Sequence, residues 1–387
     1  MRSFLAALVG CALTLASTTA TVSAQQEPPR RLDFSQDTLD APNESLRRAQ
    51  QPRSSARNAF IRDQTILGLV VYGPAFAATV GDNGVTATAG YLVMAGGTFF
   101  AAAELSRRMD ITEARQLLST RMAVRSAASA LYISASADSR ASTNGAATLI
   151  GGLGGTVMGL AVGKGLTAGE AMATVFGHDL AFASAAAIAY AADPNVADER
   201  GLSDQMRAVV LTASGLSGYV LGRFYAGRAP YNVTEGDVDA LWIGTAIGAT
   251  AAGAVIAESD PDDQTTALSL LAGGLLGTAL ADRVIVRRYD HTRAEGRLLA
   301  LGGAAGGLMG IGVGVLVAGE ADRGGALTLG LGVVGASAGV VLTERYLMPL
   351  ADAGRQFGLG RLTIDPAGLA AVAARARGTH SLVRFTF

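Results

Sequence analysis

Residues Gly151 to Gly163 read GGLGGTVMGLAVG, a stretch in which every fourth residue is glycine. The glycines of this first glycine ridge are Gly151, Gly155, Gly159 and Gly163. On a helix, residues four apart lie on one face, so this spacing leaves a nearly straight strip without side chains. A second helix can approach such a strip backbone to backbone. The stretch therefore predicts a helix that packs closely against a neighbouring helix.

A second glycine ridge has the same spacing later in the chain, at Gly302, Gly306, Gly310 and Gly314. Glycine inside a helix costs about 1 kcal/mol relative to alanine, so ridges this dense need a packing reason. The small residues at four-residue spacing over residues 146–342 resemble those of glycine-zipper proteins of the bacterial cell envelope. The resemblance implies membrane association or self-assembly, and it transfers no functional residue.

From Thr65 onward, apolar segments of helix length alternate with short charged connectors. Ala208, Ala267 and Ala326 open comparable segments 59 residues apart, which indicates an internal repeat. Threonine followed by glutamate within one turn is an N-cap pattern. It predicts the start of the second helix of each helix pair, at Thr112, Thr167, Thr234 and Thr292. The sequence therefore predicts an all-α array of Gly-rich helical hairpins, with about ten helices in about four hairpins plus flanking helices.

Residues 1–24 have the pattern of a cleavable signal peptide. Arg2 precedes an apolar run from Phe4 to Ala16, and small residues lead to Gln25. Cys11, the only cysteine, lies inside this segment, so the mature chain is expected to have no disulfide. As an alternative, Leu8–Cys11 resembles the lipobox of bacterial lipoproteins, whose cysteine is lipidated.

The remaining boundaries follow from composition. Residues 25–63 are polar and are predicted to be a disordered tether. Residues 64–350 are predicted to form a Gly/Ala-rich helical-hairpin repeat domain, and residues 351–387 follow it. Within that last segment, residues 361–365 and 381–387 alternate as strands do, which predicts a small C-terminal β-hairpin.

Composition and segment length favour a membrane-embedded protein. Charged residues make up 16% of the chain, against about 25% in soluble proteins. Leu298 to Ala318 contains no charge over a length that can span a bilayer. Residues 112–136 argue the other way, because Arg115, Arg121 and Arg125 disfavour insertion. The sequence predicts membrane embedding and leaves a compact, soluble periplasmic helical array as the alternative.

Few residues point to chemistry. The three histidines are far apart in the sequence, so no metal site, catalytic residue or cofactor is predicted. His291 is expected to make a capping contact with Glu295. Ionisable residues inside apolar segments are functional candidates by default, although separate buried hydrogen bonds would also explain His178 and Asp179. The candidate intramembrane polar residues are His178, Asp179, Arg223 and Asp282.

The predicted function is that of an exported, membrane-embedded cell-envelope scaffold or assembly protein, not an enzyme. The expected partners are the lipid bilayer and either further copies of the chain or another envelope protein. A net charge of −1 gives no reason to expect nucleic acid. One alternative is a transporter or channel component, whose polar residues would converge on one cavity. The other is a soluble periplasmic binding protein, whose helices would need a polar face.

Overall fold

The computed structural model describes residues 55–81, 83–192, 203–259, 261–318, 324–357, 361–364 and 383–386, with side chains as far as Leu347. The predicted signal peptide, with the alternative lipobox, lies outside the described residues. The same holds for residues 25–54 of the predicted tether.

The described chain is helical almost throughout, which confirms the all-α class. Helix α1 covers residues 55–80 and contains a π-helical turn at Gly68–Tyr72. The other helices are α2 (Gly84–Arg108), α3 (Glu113–Ala135), α4 (Ala141–Val162), α5 (Ala168–Ala192), α6 (Asp204–Arg228), α7 (Glu235–Ile256), α8 (Asp263–Val286), α9 (Arg293–Ala318) and α10 (Gly324–Phe357). The last residues of α8, Asp282–Val286, form a second π-helical turn.

Two short strands follow the helices. Strand β1 (Arg361–Ile364) pairs antiparallel with β2 (Val383–Thr386), with Arg361 opposite Thr386. Residues 365–382, which connect them, lie outside the described residues. The C-terminal β-hairpin therefore stays a prediction.

Threonine caps begin four of the helices, as their sequence pattern predicts. Each hydroxyl oxygen accepts a hydrogen bond from the backbone N–H three residues later, at Thr112, Thr167, Thr234 and Thr292. At the last three caps a carboxylate oxygen, three residues after the threonine, accepts a hydrogen bond from the threonine N–H. These reciprocal capping boxes satisfy amide groups that the first helical turn leaves without partners. At Thr234 the carboxylate that accepts this hydrogen bond belongs to Asp237 rather than to the adjacent Glu235.

The closely packed helix pairs differ from the predicted ones. The observed hairpins are α1–α2, α3–α4, α5–α6, α7–α8 and α9–α10. Each Thr-capped helix is therefore the first helix of its hairpin, whereas the sequence predicted it as the second. The reason is the position of the glycines, which lie against the backbone of the partner helix across the connectors without arginine clusters. A strip of glycines lets the two backbones approach closely. The 59-residue period stays a prediction.

The contacts divide the chain into two compact units. Unit 1 contains residues Met1–Leu221 and Asp262–Ala267, and unit 2 contains Gly222–Pro261 and Leu268–Phe387. The single helical domain predicted over residues 64–350 stays a prediction.

Helix α3 lies at the centre of unit 1. Its Leu118 and Met122 are fully buried and pack in one cluster with Val175 of α5 and Tyr219 of α6. Polar residues of α3 are also buried, and Gln116 Nε2 donates a 2.5 Å hydrogen bond to Asp63 Oδ2 of α1. The neighbouring helices thus enclose a helix that is too polar to enter a bilayer unaided.

Seven helices are long and apolar enough to cross a membrane, judged by length and composition among the described residues. They are α2, α4, α5, α7, α8, α9 and α10. Only 11% of the most apolar stretch of α9 is buried, and Met309 and Leu316 are 74% and 84% exposed. Apolar surface of this extent is unfavourable in water and favourable in lipid. These helices indicate a membrane-embedded protein, as the sequence predicts.

Candidate functional sites

The first glycine ridge lies directly on the backbone of α3. A Cβ added at any of its four glycines would come within 2.8 Å of backbone atoms of α3. At Gly155, for example, it would lie 2.5 Å from the Met122 carbonyl oxygen. Gly154, on another face of α4, has nothing within 4 Å of the same position. The ridge glycines are therefore required by the separation of the two helices.

The second glycine ridge, on α9, packs against α10, and here the partner helix contributes glycines too. Gly306 faces the carbonyl oxygen of Gly335, and Gly335 in turn faces that of Gly306. Gly310 meets the carbonyl of Leu331, and a Cβ at Gly314 would lie 2.6 Å from the Cα of Thr328. Gly302 faces the side chain of Thr343 and the backbone of Gly339. At Gly302, Gly306, Gly310, Gly314 and Gly335 the contact therefore leaves no room for a Cβ.

Asp179 forms a buried ion pair in unit 1. Arg125 Nε donates to Asp179 Oδ1 at 2.6 Å and Nη2 donates to Oδ2 at 2.5 Å, which is a bidentate arrangement. The side chains are only 11% and 14% exposed. His178 Nδ1 lies 3.0 Å from Asp179 Oδ1, so these neighbours share a contact rather than forming separate hydrogen bonds. The carboxylate charge is thus matched inside the unit by a guanidinium.

Aromatic residues and a glycine enclose the His178 ring. The ring centroids of His178 and Tyr219 are 4.5 Å apart. A Cβ at Gly215 would lie 2.7 Å from His178 Nε2, so only glycine leaves room for the imidazole. The Tyr219 hydroxyl is buried without a hydrogen-bond partner among the described residues. Interior packing therefore fixes the histidine in one place.

Asp282 anchors a polar cluster in unit 2, at the start of the π-helical turn. The hydroxyls of Tyr225 and Tyr231 both donate to Asp282 Oδ1, the first at 3.0 Å. Arg287 donates to Oδ2 through Nε at 2.8 Å and Nη2 at 2.7 Å. Burial and the hydrogen bond to Asp282 raise the pKa of Tyr231 far above its ordinary value, so it stays a donor. The hydrogen bond and charge of Asp282 likewise raise the pKa of Arg287.

A second buried pair in unit 2 was not among the predicted residues. His291 Nδ1 lies 2.9 Å from Asp237 Oδ1, and both side chains are fully buried. The Asp237 carboxylate also accepts the N–H groups of His291 and Thr234. His291 Nε2 is buried with no partner among the described residues. The predicted contact of His291 with Glu295 is wrong, because the Glu295 carboxylate caps Thr292 instead.

The predicted polar residues therefore fall into separate clusters. His178 and Asp179 belong to unit 1 and Asp282 to unit 2, while Arg223 is exposed on α6. Sequence analysis missed Arg125, Asp237 and His291 as partners, since each bond joins residues about one hairpin apart. The two partners are 54 residues apart in the sequence for Arg125–Asp179, 54 for Asp237–His291 and 57 for Tyr225–Asp282. Searching for polar residues at that separation would have found them.

A shallow groove between α1 and α2 is lined by Asn58, Ile61, Arg62, Thr65, Ile66 and Phe99, and it contains none of the predicted polar residues. Over the described ranges, no group of three His, Cys, Asp or Glu side chains is placed to hold a metal ion.

Comparison with models of protein families, with curated proteins and with solved structures finds no match for this chain.

Proposed function

We propose that the protein is a non-catalytic, membrane-embedded scaffold or assembly protein of the cell envelope. The observation that supports this most is an exposed apolar surface. It lies on hairpins whose two helices meet backbone to backbone, so their large side chains face outward. Because glycines occupy the contact between α9 and α10, the large side chains of Leu308 and Met309 point outward and are exposed. Such a surface suits lipid or another apolar helix.

The polar clusters support a structural role. Asp179 is neutralised by Arg125, and Asp282 accepts bonds from two tyrosines and Arg287. Buried charges paired in this way fix the arrangement of helices, and removing one partner is costly. The likeness to glycine-zipper proteins adds self-assembly to the proposal, with further copies of the chain or an envelope protein as partner.

One observation favours the transporter alternative. Asp179 and Glu344 both lie in helices that can cross a membrane, where ionisable groups are expensive and commonly functional. Glu344 is buried, and its closest charged partner, Arg288, is 3.8 Å away, beyond hydrogen-bond distance. A buried carboxylate in that geometry suits a group that changes its partner during transport.

The first test fractionates cells that express the full chain and washes their membranes with alkaline carbonate. The proposal expects the chain in the washed pellet. Release into the soluble fraction would contradict membrane embedding and favour the periplasmic array.

The second test uses single cysteines in membranes, since Cys11 lies within the predicted signal peptide. Leu308→Cys places a thiol on exposed α9 surface, whereas Leu299→Cys, at a fully buried position of the same helix, is the matched control. A scaffold that self-assembles should give a cross-linked dimer with the first variant alone. In liposomes the purified chain should add no ion or proton flux. A flux that Glu344→Gln abolishes would instead establish the transporter alternative.

A further inference from the structure

The arginines of unit 2 whose side chains the structure describes gather at one end. Contacts between helices place the end of α8 beside the end of α6, through Asp282 and Tyr225, and beside α10, through Arg288 and Glu344. The starts of α7 and α9 join the same end, because Arg293 Nε lies 3.2 Å from a Glu235 carboxylate oxygen. We call this region the arginine end of unit 2.

At the arginine end, basic and acidic side chains occupy different depths. The exposed arginines are Arg223, Arg228, Arg283, Arg287, Arg288, Arg293 and Arg345. Asp237 and Glu344 are buried, while Glu235 and Asp282 are largely covered. Among the described acidic residues of this end, only Asp290 is exposed. The carboxylates thus hold the helices together, and the outer surface carries guanidinium groups.

The arginines also continue stripes of exposed apolar residues. On α8, Leu276, Leu280 and Val284 are exposed at four-residue intervals, and Arg288 follows at the next interval. On α10, exposed Leu342 is followed one turn later by exposed Arg345. Where apolar surface on a membrane helix gives way to arginine, the guanidinium lies at the depth of the lipid headgroups.

An exposed aromatic ring lies beside one of these arginines. Phe224, near the end of α6, is 53% exposed, and the guanidinium carbon of Arg228 lies 3.9 Å from its ring centroid. Arg228 is therefore held beside Phe224 by a cation–π contact, which leaves its N–H groups available to a ligand.

We propose that the arginine end of unit 2 binds the headgroups of anionic phospholipids. Guanidinium groups form paired hydrogen bonds with phosphate oxygens, and basic clusters beside membrane helices attract anionic lipids. The proposal rests on the proposed membrane embedding, and it adds a lipid class and a defined surface. It also predicts that this end faces the leaflet richer in anionic lipid.

The test removes three exposed charges that are not in ion pairs among the described residues. The triple variant Arg228→Gln, Arg283→Gln, Arg345→Gln is compared with Arg228→Lys, Arg283→Lys, Arg345→Lys, which keeps the charge. Each full-length protein is purified in neutral detergent and titrated with phosphatidylglycerol or phosphatidylcholine. Native mass spectrometry counts the lipids that each protein retains, and gel filtration checks that it is folded.

The wild type should retain phosphatidylglycerol in preference to phosphatidylcholine. The glutamine variant should bind phosphatidylglycerol on the order of a hundred-fold more weakly, since each basic group near an anionic surface contributes about a five-fold factor. The lysine variant should keep most of the binding. Equal retention of the two lipids by the wild type, or unchanged binding by the glutamine variant, would overturn the proposal. Such a result would leave retention in carbonate-washed membranes, and so the membrane embedding, unaffected.

Discussion

The α3–α4 hairpin of unit 1 and the α9–α10 hairpin of unit 2 both close through glycines four residues apart, but only the first encloses one of its helices. Helix α3 has nine buried residues in 23, including Leu118, Met122 and the polar Gln116. Helix α9 has four in 26, of which three are glycines. The same spacing therefore serves two kinds of interface.

In the first hairpin, glycine lets α4 cover a polar helix whose side chains interlock with several neighbours. In the second, the two backbones meet and most side chains point away. An enclosed helix cannot move without disturbing many contacts, because protein interiors are close-packed. Two helices that meet mainly through glycine can separate slightly at lower cost. The variants below test this difference, starting with the largest expected effect.

Arg125→Gln should destabilise unit 1 by about 3–5 kcal/mol, because it leaves the Asp179 carboxylate buried without its partner charge. Unfolding by a denaturing detergent, followed by circular dichroism, measures the loss. Adding Asp179→Asn should restore a large part of the stability, since no unpaired charge remains. A double variant as unstable as the sum of the single ones would contradict the enclosed ion pair.

Gly155→Ala should cost about 1–3 kcal/mol, because its Cβ would lie 2.5 Å from the Met122 carbonyl oxygen of an immobile helix. Gly154→Ala is the matched control on the same helix, with open space at its Cβ. It should be neutral or stabilising by about 0.5–1 kcal/mol, since alanine favours the helix more than glycine does. Equal effects of the two variants in the same unfolding assay would show that α4 does not need its ridge.

Gly310→Ala should cost less than Gly155→Ala, about 1 kcal/mol, although its Cβ would meet the Leu331 carbonyl at least as closely. The expected reason is that α9 and α10 can separate slightly toward the lipid. Gly312→Ala, with nothing within 4 Å, is the control. A loss at Gly310 as large as that at Gly155 would mean that the two hairpins are equally rigid, and the comparison would fail.

Local sequence patterns predict single helices well, but they do not predict which helices pair. Glycine spacing and threonine caps act within one or two turns, so both could be predicted from local patterns. The choice of hairpin partner depends on which of its two neighbours a helix packs against more closely, and short connectors lie on both sides of most of the described helices. Thr234, for example, begins α7, but its sequence does not determine whether α6 or α8 is the closer partner.

The polar sites were harder to predict for a related reason. Asp179 and Asp282 stand out because they are ionisable residues in apolar segments, which is a local property. Their partners Arg125 and Tyr225 lie 54 and 57 residues away, and only the packing of successive hairpins brings them together. Arg125 was one of three arginines that argued against membrane insertion of residues 112–136, whereas in the structure it is the reason that Asp179 can be buried.

The smallest expected effect concerns pH and the Asp282 cluster. Burial and the bond to Asp282 raise the pKa of Tyr231 above that of an unfolded chain, near 10. Below that pH both states keep the proton, and the stabilisation is fully present. As the pH rises further, the unfolded state releases a proton that the folded state retains, so stability falls. Tyr231→Phe should make this fall between about pH 10 and 11.5 less steep. Thermal unfolding over that range measures the slope, and a slope equal to that of the wild type would remove Tyr231 from the cluster that holds the end of α8.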